Sequence, residues 1–549
     1  MSDDIRKNEQ THIKPKGRFL SGVAILTFST IIVKIIGLLY KIPMMRLLGE
    51  EGMGYFNSAY EIYTFFYILA TAGLPVAISI LVAENIEKGR ASSARKIFWV
   101  AIVLFLVLGV VGTAALYFGA EIFAGFIENS GSVLCIAAIS PMVLFVCISS
   151  AIRGYFQGCQ DMTPTAVSQI IEAVGKLLLG LTFGAWAIKN GYDIAHAAAF
   201  STLGMALGMG LSMLYLMLAR ILSRKKEGVP FSASVQAEKS GAIAKSIIKI
   251  AIPITFSSTI ISLTRVVDLF MILRRLQSIG YTEEAANAVY GSYSTLAISM
   301  FNLPAAFVTP IALALVPILA SAIGGGDRIK EANTLNSSLR LCGLITIPAS
   351  LGLSVFSRPL LELVFSGEES AINTAAPLLS VLGMSVFFSC MMTVTNAILQ
   401  AYGKERLPII SMVVGAVVKV VISYILIGIP EINIYGATIS TLACSFVVSE
   451  MNFAYIRKCT NRIESPARLF GDCLWASMLS VAVGGGVYLL LITRVGASQL
   501  LTLASIGITV FAFALLGLKL GAIREDDLLM LPKGEKIYKI LRKIKLAKK

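Results

Sequence analysis

Residues 97–118 read Ile97-Phe-Trp-Val-Ala-Ile-Val-Leu-Phe-Leu-Val-Leu-Gly-Val-Val-Gly-Thr-Ala-Ala-Leu-Tyr-Phe118, and none of these side chains is charged. The basic pair Arg95-Lys96 stands directly before them. As an α-helix at about 1.5 Å per residue the stretch is long enough to cross a hydrocarbon core of about 30 Å. Inside lipid a lone segment can satisfy its own backbone polar groups only by being helical. The stretch is therefore read as a transmembrane helix, and the rest of the chain repeats the pattern. Comparable segments fall near 19–41, 55–83, 97–119, 132–152, 164–188, 195–220, 246–272, 289–322, 338–357, 372–400, 408–428, 434–456, 472–492 and 499–520. The segment 289–322 is long and contains Pro304, Pro310 and Pro317, so it reads either as one broken helix or as a helix plus an interfacial turn.

Composition agrees. Of 549 residues 56% are apolar and 14% charged, and the mean hydropathy is +0.79, whereas a water-soluble domain carries about a quarter charged residues. The net charge of +15 is concentrated in alternate loops. Junctions 120–131 and 429–433 carry no basic residue, and 189–194 carries only Lys189. The intervening junctions hold Lys88, Arg90, Arg95 and Lys96, then Arg224, Lys225, Lys226, Lys239 and Lys245, then Arg457, Lys458, Arg462 and Arg468. Both ends are basic too, which by the positive-inside rule predicts an even number of spans with both termini cytoplasmic. The charge is thus assigned to topology and to contact with membrane lipids, not to nucleic acid. Residues 1–18 are polar, and the apolar run from Phe19 is long and has no small-residue cleavage site, so a cleavable signal is not expected.

The reading is an all-α integral membrane protein of about 14 transmembrane helices, two six-helix lobes in parallel repeat plus two C-terminal helices. Its parts are a cytoplasmic N-terminus 1–18, an N-lobe 19–222, a cytoplasmic loop 223–245, a C-lobe 246–458, helices 13 and 14 within 459–520, and a basic cytoplasmic tail 521–549. Apolar positions at helical spacing in that tail suit the inner leaflet. The repeat is visible in the residues. Tyr55–Gly89 aligns without a gap on Tyr290–Gly324, placing Gly73-Leu-Pro75-Val-Ala-Ile over Val308-Thr-Pro310-Ile-Ala-Leu. Gly154-Tyr-Phe-Gln157-Gly followed by Pro164 matches Ala397-Ile-Leu-Gln400-Ala followed by Pro408. Parallel repeats about an axis along the membrane normal are a transporter plan, with the substrate site at the repeat interface.

Eight scattered cysteines without a C-x-x-C pair and two histidines, His12 and His196, argue against a disulfide framework, a metal centre or His-based catalysis. No cofactor, metal or enzymatic activity is expected. Intramembrane charges are costly and carry the functional hypothesis. Lys34 and Lys41 lie on helix 1, Glu61 on helix 2, Glu172 and Lys176 on helix 5, Arg265 and Asp268 on helix 7, and Lys419 on helix 11. Lys176 is twelve residues beyond Pro164 and Lys419 eleven beyond Pro408, nearly equivalent points of the two halves. A cavity collecting Lys34, Lys41, Lys176, Arg265 and Lys419 would attract an anionic headgroup such as a pyrophosphate, with Glu61 and Asp268 as candidate cation ligands for coupling. The competing reading is local neutralisation, Glu172 with Lys176 at i,i+4 and Arg265 with Asp268 at i,i+3, with Lys41, Arg46, Arg274 and Arg275 only anchoring helix ends.

The stretches Lys34-Ile-Ile-Gly37, Arg46-Leu-Leu-Gly49-Glu-Glu-Gly52-Met-Gly54 and Gly73-Leu-Pro75-Val-Ala-Ile resemble the stage V sporulation protein B family. That family belongs with the MurJ-type flippases of the multidrug/oligosaccharidyl-lipid/polysaccharide exporter superfamily. Arg153-Gly-Tyr-Phe-Gln157-Gly, then Met162-Thr-Pro164-Thr-Ala-Val-Ser168-Gln169 and Glu172, and Arg274-Arg275-Leu276-Gln277 are similar to the same family. The resemblance runs from helix 1 to at least helix 10. It implies transport of an undecaprenyl-pyrophosphate-linked precursor, lipid II first, with helices 13 and 14 helping to hold the lipid tail. It also implies a monomer in contact with cell-wall synthesis proteins. Cavity arginines of MurJ-type relatives map onto Lys34, Tyr40 and the neighbourhood of Tyr67, and an acid maps onto Lys41, so only the first charge is kept. The alternatives are an exporter of another lipid-linked polysaccharide, a drug/cation antiporter, and a membrane-embedded glycosyltransferase. An antiporter would show buried carboxylates in place of lysines.

Overall fold

The computed structural model describes residues 15–226, 239–460, 462–496 and 498–522. Most of the polar N-terminus, the middle of the 223–245 loop and nearly all of the basic tail lie outside the described residues. Among the described residues the chain is helical and contains no strand. The first part comprises α1 (Pro15–Thr71), α2 (Leu74–Glu87), α3 (Ala91–Phe118), α4 (Ala120–Phe126), α5 (Val133–Ile139), α6 (Pro141–Gly158), α7 (Thr163–Lys189), α8 (Ile194–Lys226) and α9 (Ser240–Ser278). There follow α10 (Glu283–Ser292), α11 (Ile298–Phe301), α12 (Leu303–Gly324), α13 (Arg328–Val355), α14 (Ser357–Val364) and α15 (Glu369–Ala401). The last are α16 (Arg406–Ile427), α17 (Tyr435–Cys459), α18 (Pro466–Val495) and α19 (Gln499–Leu520). Two compact units divide the chain between Leu269 and Phe270, inside α9.

Twelve helices among the described residues are long and apolar enough to cross a membrane. The first, Phe28–Glu87, runs for 60 residues, about 90 Å of helix, far more than one crossing needs. Its path changes at Gly49, where φ is 66° and ψ −173°, so α1 is two helices joined at one residue. Only glycine takes that conformation without strain. The expected spans 19–41 and 55–83 fall on either side of the break. The count of fourteen remains an expectation.

Prolines place the other interruptions. Pro75 opens α2 directly after the break at Gly73, because a residue without N–H costs nothing in a first helical turn. Segment 289–322 is broken: α10 passes through a π-turn at Tyr293–Ala297 into α11, the path interrupts at Asn302, and α12 begins with Pro304 in its first turn. Pro310 and Pro317 sit inside α12. The aligned pair Pro75 and Pro310 therefore occupies different helical contexts, one at a start and one in an interior.

In the first unit α7 packs closely on α8 through Gly175 and Gly208. Small residues let transmembrane backbones meet, which matters where lipid supplies no hydrophobic drive between helices. The uncharged stretch of α3 buries Ala101 and Phe105 while exposing Val103, Val107, Val110 and Val111, an outward apolar face suited to hydrocarbon.

In the second unit α15 packs against α12, α13 and α17. The C-terminal pair α18–α19 docks on α13, where Ile347, Cys473 and Ala476 form a buried cluster backed by Phe387 and Phe470. At one end Glu331 of α13 accepts bonds from Tyr402 and Arg462, and Asn336 brackets Arg462 and Glu464 at 2.8 and 3.0 Å. Burial and the Glu331 carboxylate push the Tyr402 phenol above its usual range. Arg275, at the end of α9, donates to the Tyr424 carbonyl at 3.1 Å and lies 4.3 Å over the Tyr424 ring, so it braces α16.

Candidate functional site: a buried cationic junction

Pro164 starts α7 and sets the register that puts Ser168, Glu172 and Lys176 on one face at successive i,i+4 steps. Arg153, near the end of α6, reaches into that face. Its Nη2 donates to Glu172 Oε2 at 3.0 Å and to Ser212 Oγ of α8 at 3.2 Å, and its Nε donates to Ser168 Oγ at 2.9 Å. Lys176 Nζ donates to the other carboxylate oxygen, Oε1, at 2.6 Å. Ser168 and Ser212 are held in turn, Ser168 Oγ donating to the Thr165 carbonyl at 2.7 Å and Ser212 Oγ to the Ser168 carbonyl at 2.8 Å.

Side-chain exposure is 8% for Arg153, 12% for Glu172 and 16% for Lys176. Buried ions persist only when paired and hydrogen-bonded, and both conditions hold here. The expected i,i+4 pairing of Glu172 with Lys176 is present. It is not neutralisation, because Arg153 takes the second carboxylate oxygen and leaves two cations against one anion. Arg153 stood in a recognised motif, but its partner lies nineteen residues away on another helix, a contact that no helical spacing reveals.

Beside this junction runs an aromatic column on α1, with Tyr40 before the Gly49 break and its other members after it. Tyr40 meets Phe56, Phe56 stacks on Tyr60, and Tyr60, Tyr63 and Tyr67 follow with ring centroids 5.9 Å apart. Glu172 acts electrostatically on Tyr63 and Tyr67, and Lys176 on Tyr67. Tyr63 is 1% exposed and its hydroxyl has no hydrogen-bond partner among the described residues.

The other predicted residues distribute as follows. Lys34 is exposed on α1 and forms no ion pair among the described residues. Lys41 is half-buried on α1, within electrostatic range of Glu61 and of the exposed Arg265 on α9. Asp268 is half-buried one turn beyond Arg265. Lys419, half-buried on α16, belongs to the second unit, whereas the other four predicted cations belong to the first. A polar pocket of about 320 Å³ in the second unit, lined by Arg358, Glu362, Glu369 and Gln499 among others, contains none of them. Among the described residues no cluster of His, Cys, Asp and Glu could hold a metal, and the eight cysteines are unpaired.

The second unit holds a neutral counterpart of the junction. Asn396 stands four residues before Gln400 as Arg153 stands four before Gln157, and Met412 lies four beyond Pro408 as Ser168 lies four beyond Pro164. Asn396 Nδ2 approaches Met412 Sδ at 3.9 Å, and its Oδ1 accepts from Asn452 Nδ2 of α17 at 2.7 Å. The position matching Glu172 is Ala416.

Helices of this number, length and apolarity make the chain a multi-pass membrane protein, and its likeness to known proteins puts it in the multidrug/oligosaccharidyl-lipid/polysaccharide exporter superfamily of transporters. Within it, the chain belongs to the polysaccharide biosynthesis protein family, whose profile matches residues 19–323, and the MatE profile matches residues 253–425. The lipid II flippase MurJ of Bacillus subtilis is 28% identical over 79% of this chain and 81% of its own length. Stage V sporulation protein B of the same organism is 26% identical over 94% of this chain and 98% of its own. A solved structure of lipid II flippase MurJ in an inward closed conformation, 14% identical, superposes with a TM-score of 0.67 over 90% of this chain and 98% of that one, so the fold is shared.

Proposed function

We propose that this protein carries an undecaprenyl-pyrophosphate-linked cell-wall precursor, lipid II, from the inner to the outer leaflet of a bacterial plasma membrane by alternating access. The observation that carries the reading is the Arg153–Glu172–Lys176 junction, a surplus positive charge kept inside a membrane-spanning unit. Such a charge is costly in lipid and is kept where it meets a mobile anion. In this reading Lys34, Lys41, Lys176 and Arg265 of the first unit and Lys419 of the second are the substrate-binding residues, while Glu61 and Asp268 serve a coupling cation. Both termini are cytoplasmic, the polyprenyl tail stays in lipid, and the protein works as a monomer in contact with cell-wall synthesis proteins.

A second reading, export of another lipid-linked polysaccharide, is favoured by one comparison: the profile that matches residues 19–323 is that of polysaccharide biosynthesis proteins. The pure protein in vesicles, given labelled lipid II and other undecaprenyl-linked glycans, separates the two by headgroup accessibility. Faster protection of lipid II supports the first reading, and faster protection of a different glycan supports the second. No acceleration for any of them removes both.

A further inference from the structure

The charge of the first-unit junction is set by Arg153, the most deeply buried of its three ionic side chains. Glu172 has two carboxylate oxygens and spends one on each cation, 2.6 Å from Lys176 Nζ and 3.0 Å from Arg153 Nη2. Without Arg153, Glu172 and Lys176 would form a closed neutral pair along one helix. With it the trio carries one net positive charge. Three hydrogen bonds to Ser168, Glu172 and Ser212 fix the guanidinium, and its side chain is the least exposed of the three. Lys176 is the most exposed and spends one of its three donors on Glu172. The surplus charge therefore appears at Lys176, within electrostatic range of Tyr60 and Tyr67 of the tyrosine column.

The second unit serves as an internal comparison. The same junction there is built from Asn396, Met412, Ala416 and Asn452, none of which is ionisable. Four residues before Lys419 stands Gly415, where Glu172 precedes Lys176. A junction needed only for packing can therefore be made from neutral side chains, and the charges of the first unit call for a different explanation.

We infer that Arg153 is a positioning residue for anion recognition: by neutralising Glu172 it leaves the Lys176 ammonium to form a phosphate subsite in the first unit. The inference rests on the lipid-pyrophosphate reading for the identity of the anion, and on the geometry alone for the place where an anion binds.

The test uses the full-length protein in lipid nanodiscs and measures binding of undecaprenyl pyrophosphate, with inorganic pyrophosphate as a second probe. Arg153→Gln, which makes the junction neutral while keeping Lys176, weakens binding on the order of 10- to 100-fold, the effect of losing one charge-assisted contact. Arg153→Gln/Glu172→Gln restores the net charge and recovers most of the affinity, and Lys176→Gln loses it. A merely structural arginine predicts the opposite order, with the double variant at least as impaired as the single. Arg153→Lys keeps the charge, and it retains binding should the glutamine variants fail to fold. Wild-type affinity in Arg153→Gln, or no recovery in a folded double variant, overturns the inference. If the wild type binds undecaprenyl pyrophosphate no better than undecaprenol while inorganic pyrophosphate still follows the charge order, the lipid-linked reading fails and the subsite stands.

Discussion

Gly208 of α8 lies so close to Gly175 of α7 that a Cβ added to it would stand 2.5 Å from the Gly175 carbonyl carbon and 2.5 Å from the Lys176 nitrogen. The obstacle is backbone and cannot rotate away. Gly208→Ala should therefore lower stability by about 1–3 kcal/mol, the usual cost of overpacking. Gly125→Ala, with nothing within 4 Å of the new methyl, is the control. Thermal unfolding in detergent reads both, and wild-type behaviour of Gly208→Ala would refute the close approach.

Gly49 and Gly37 make a second pair of opposites. Neither has an atom within 4 Å of an added Cβ, but Gly49 has a φ of +66° and Gly37 sits in regular helix. Gly49→Ala is expected to cost about 1–2 kcal/mol from backbone conformation alone, whereas Gly37→Ala is expected to be neutral or to stabilise by up to about 1 kcal/mol. Equal effects in a melting experiment would contradict the break at Gly49.

A pH-dependent contribution is expected at the start of α8. Asp193 accepts from the His196 backbone N–H at 2.8 Å and contacts its ring nitrogen at 2.7 Å. These bonds hold its carboxyl below the usual range. A depressed carboxylate pKa gives stability that is present at neutral pH and disappears as pH falls through the folded value. Asp193→Ala should thus cost about 0.5–1 kcal/mol near pH 7, the low end for a cap because the site is exposed, and almost nothing well below pH 4. A pH-independent difference between the two proteins rules this out.

Among the transport residues, Lys34 offers the cleanest single substitution, since it forms no ion pair among the described residues and its loss leaves no buried acid behind. Lys34→Ala should slow translocation of labelled lipid-linked precursor about tenfold or more with unchanged melting, Lys34→Arg should retain most of it, and Lys419→Ala should slow it by a similar factor. Full activity in both alanine variants removes both residues from substrate binding.

Much of the fold was legible because lipid imposes a simple rule, a long apolar run forming its own helix, and residues 97–118 obey it without exception. The junctions between runs were less legible. Gly49 sits in Arg46-Leu-Leu-Gly49-Glu, where nothing marks a left-handed residue, and the segment with three prolines broke at the one that starts a helix, Pro304. Lys176 and Glu172 could be paired from spacing alone. Arg153 could not, because it reaches Glu172 across two helices whose register is set by tertiary packing. The neutral counterpart in the second unit shares its register with the first through Gln400 and Pro408, but no ionisable residue drew attention to it.

The single-residue turn at Gly49 has a mechanical consequence. The two successive crossings are joined there by the least restricted residue of the backbone, so the angle between the arm that carries Lys34 and Lys41 and the arm that carries Glu61 and Tyr67 costs little to change.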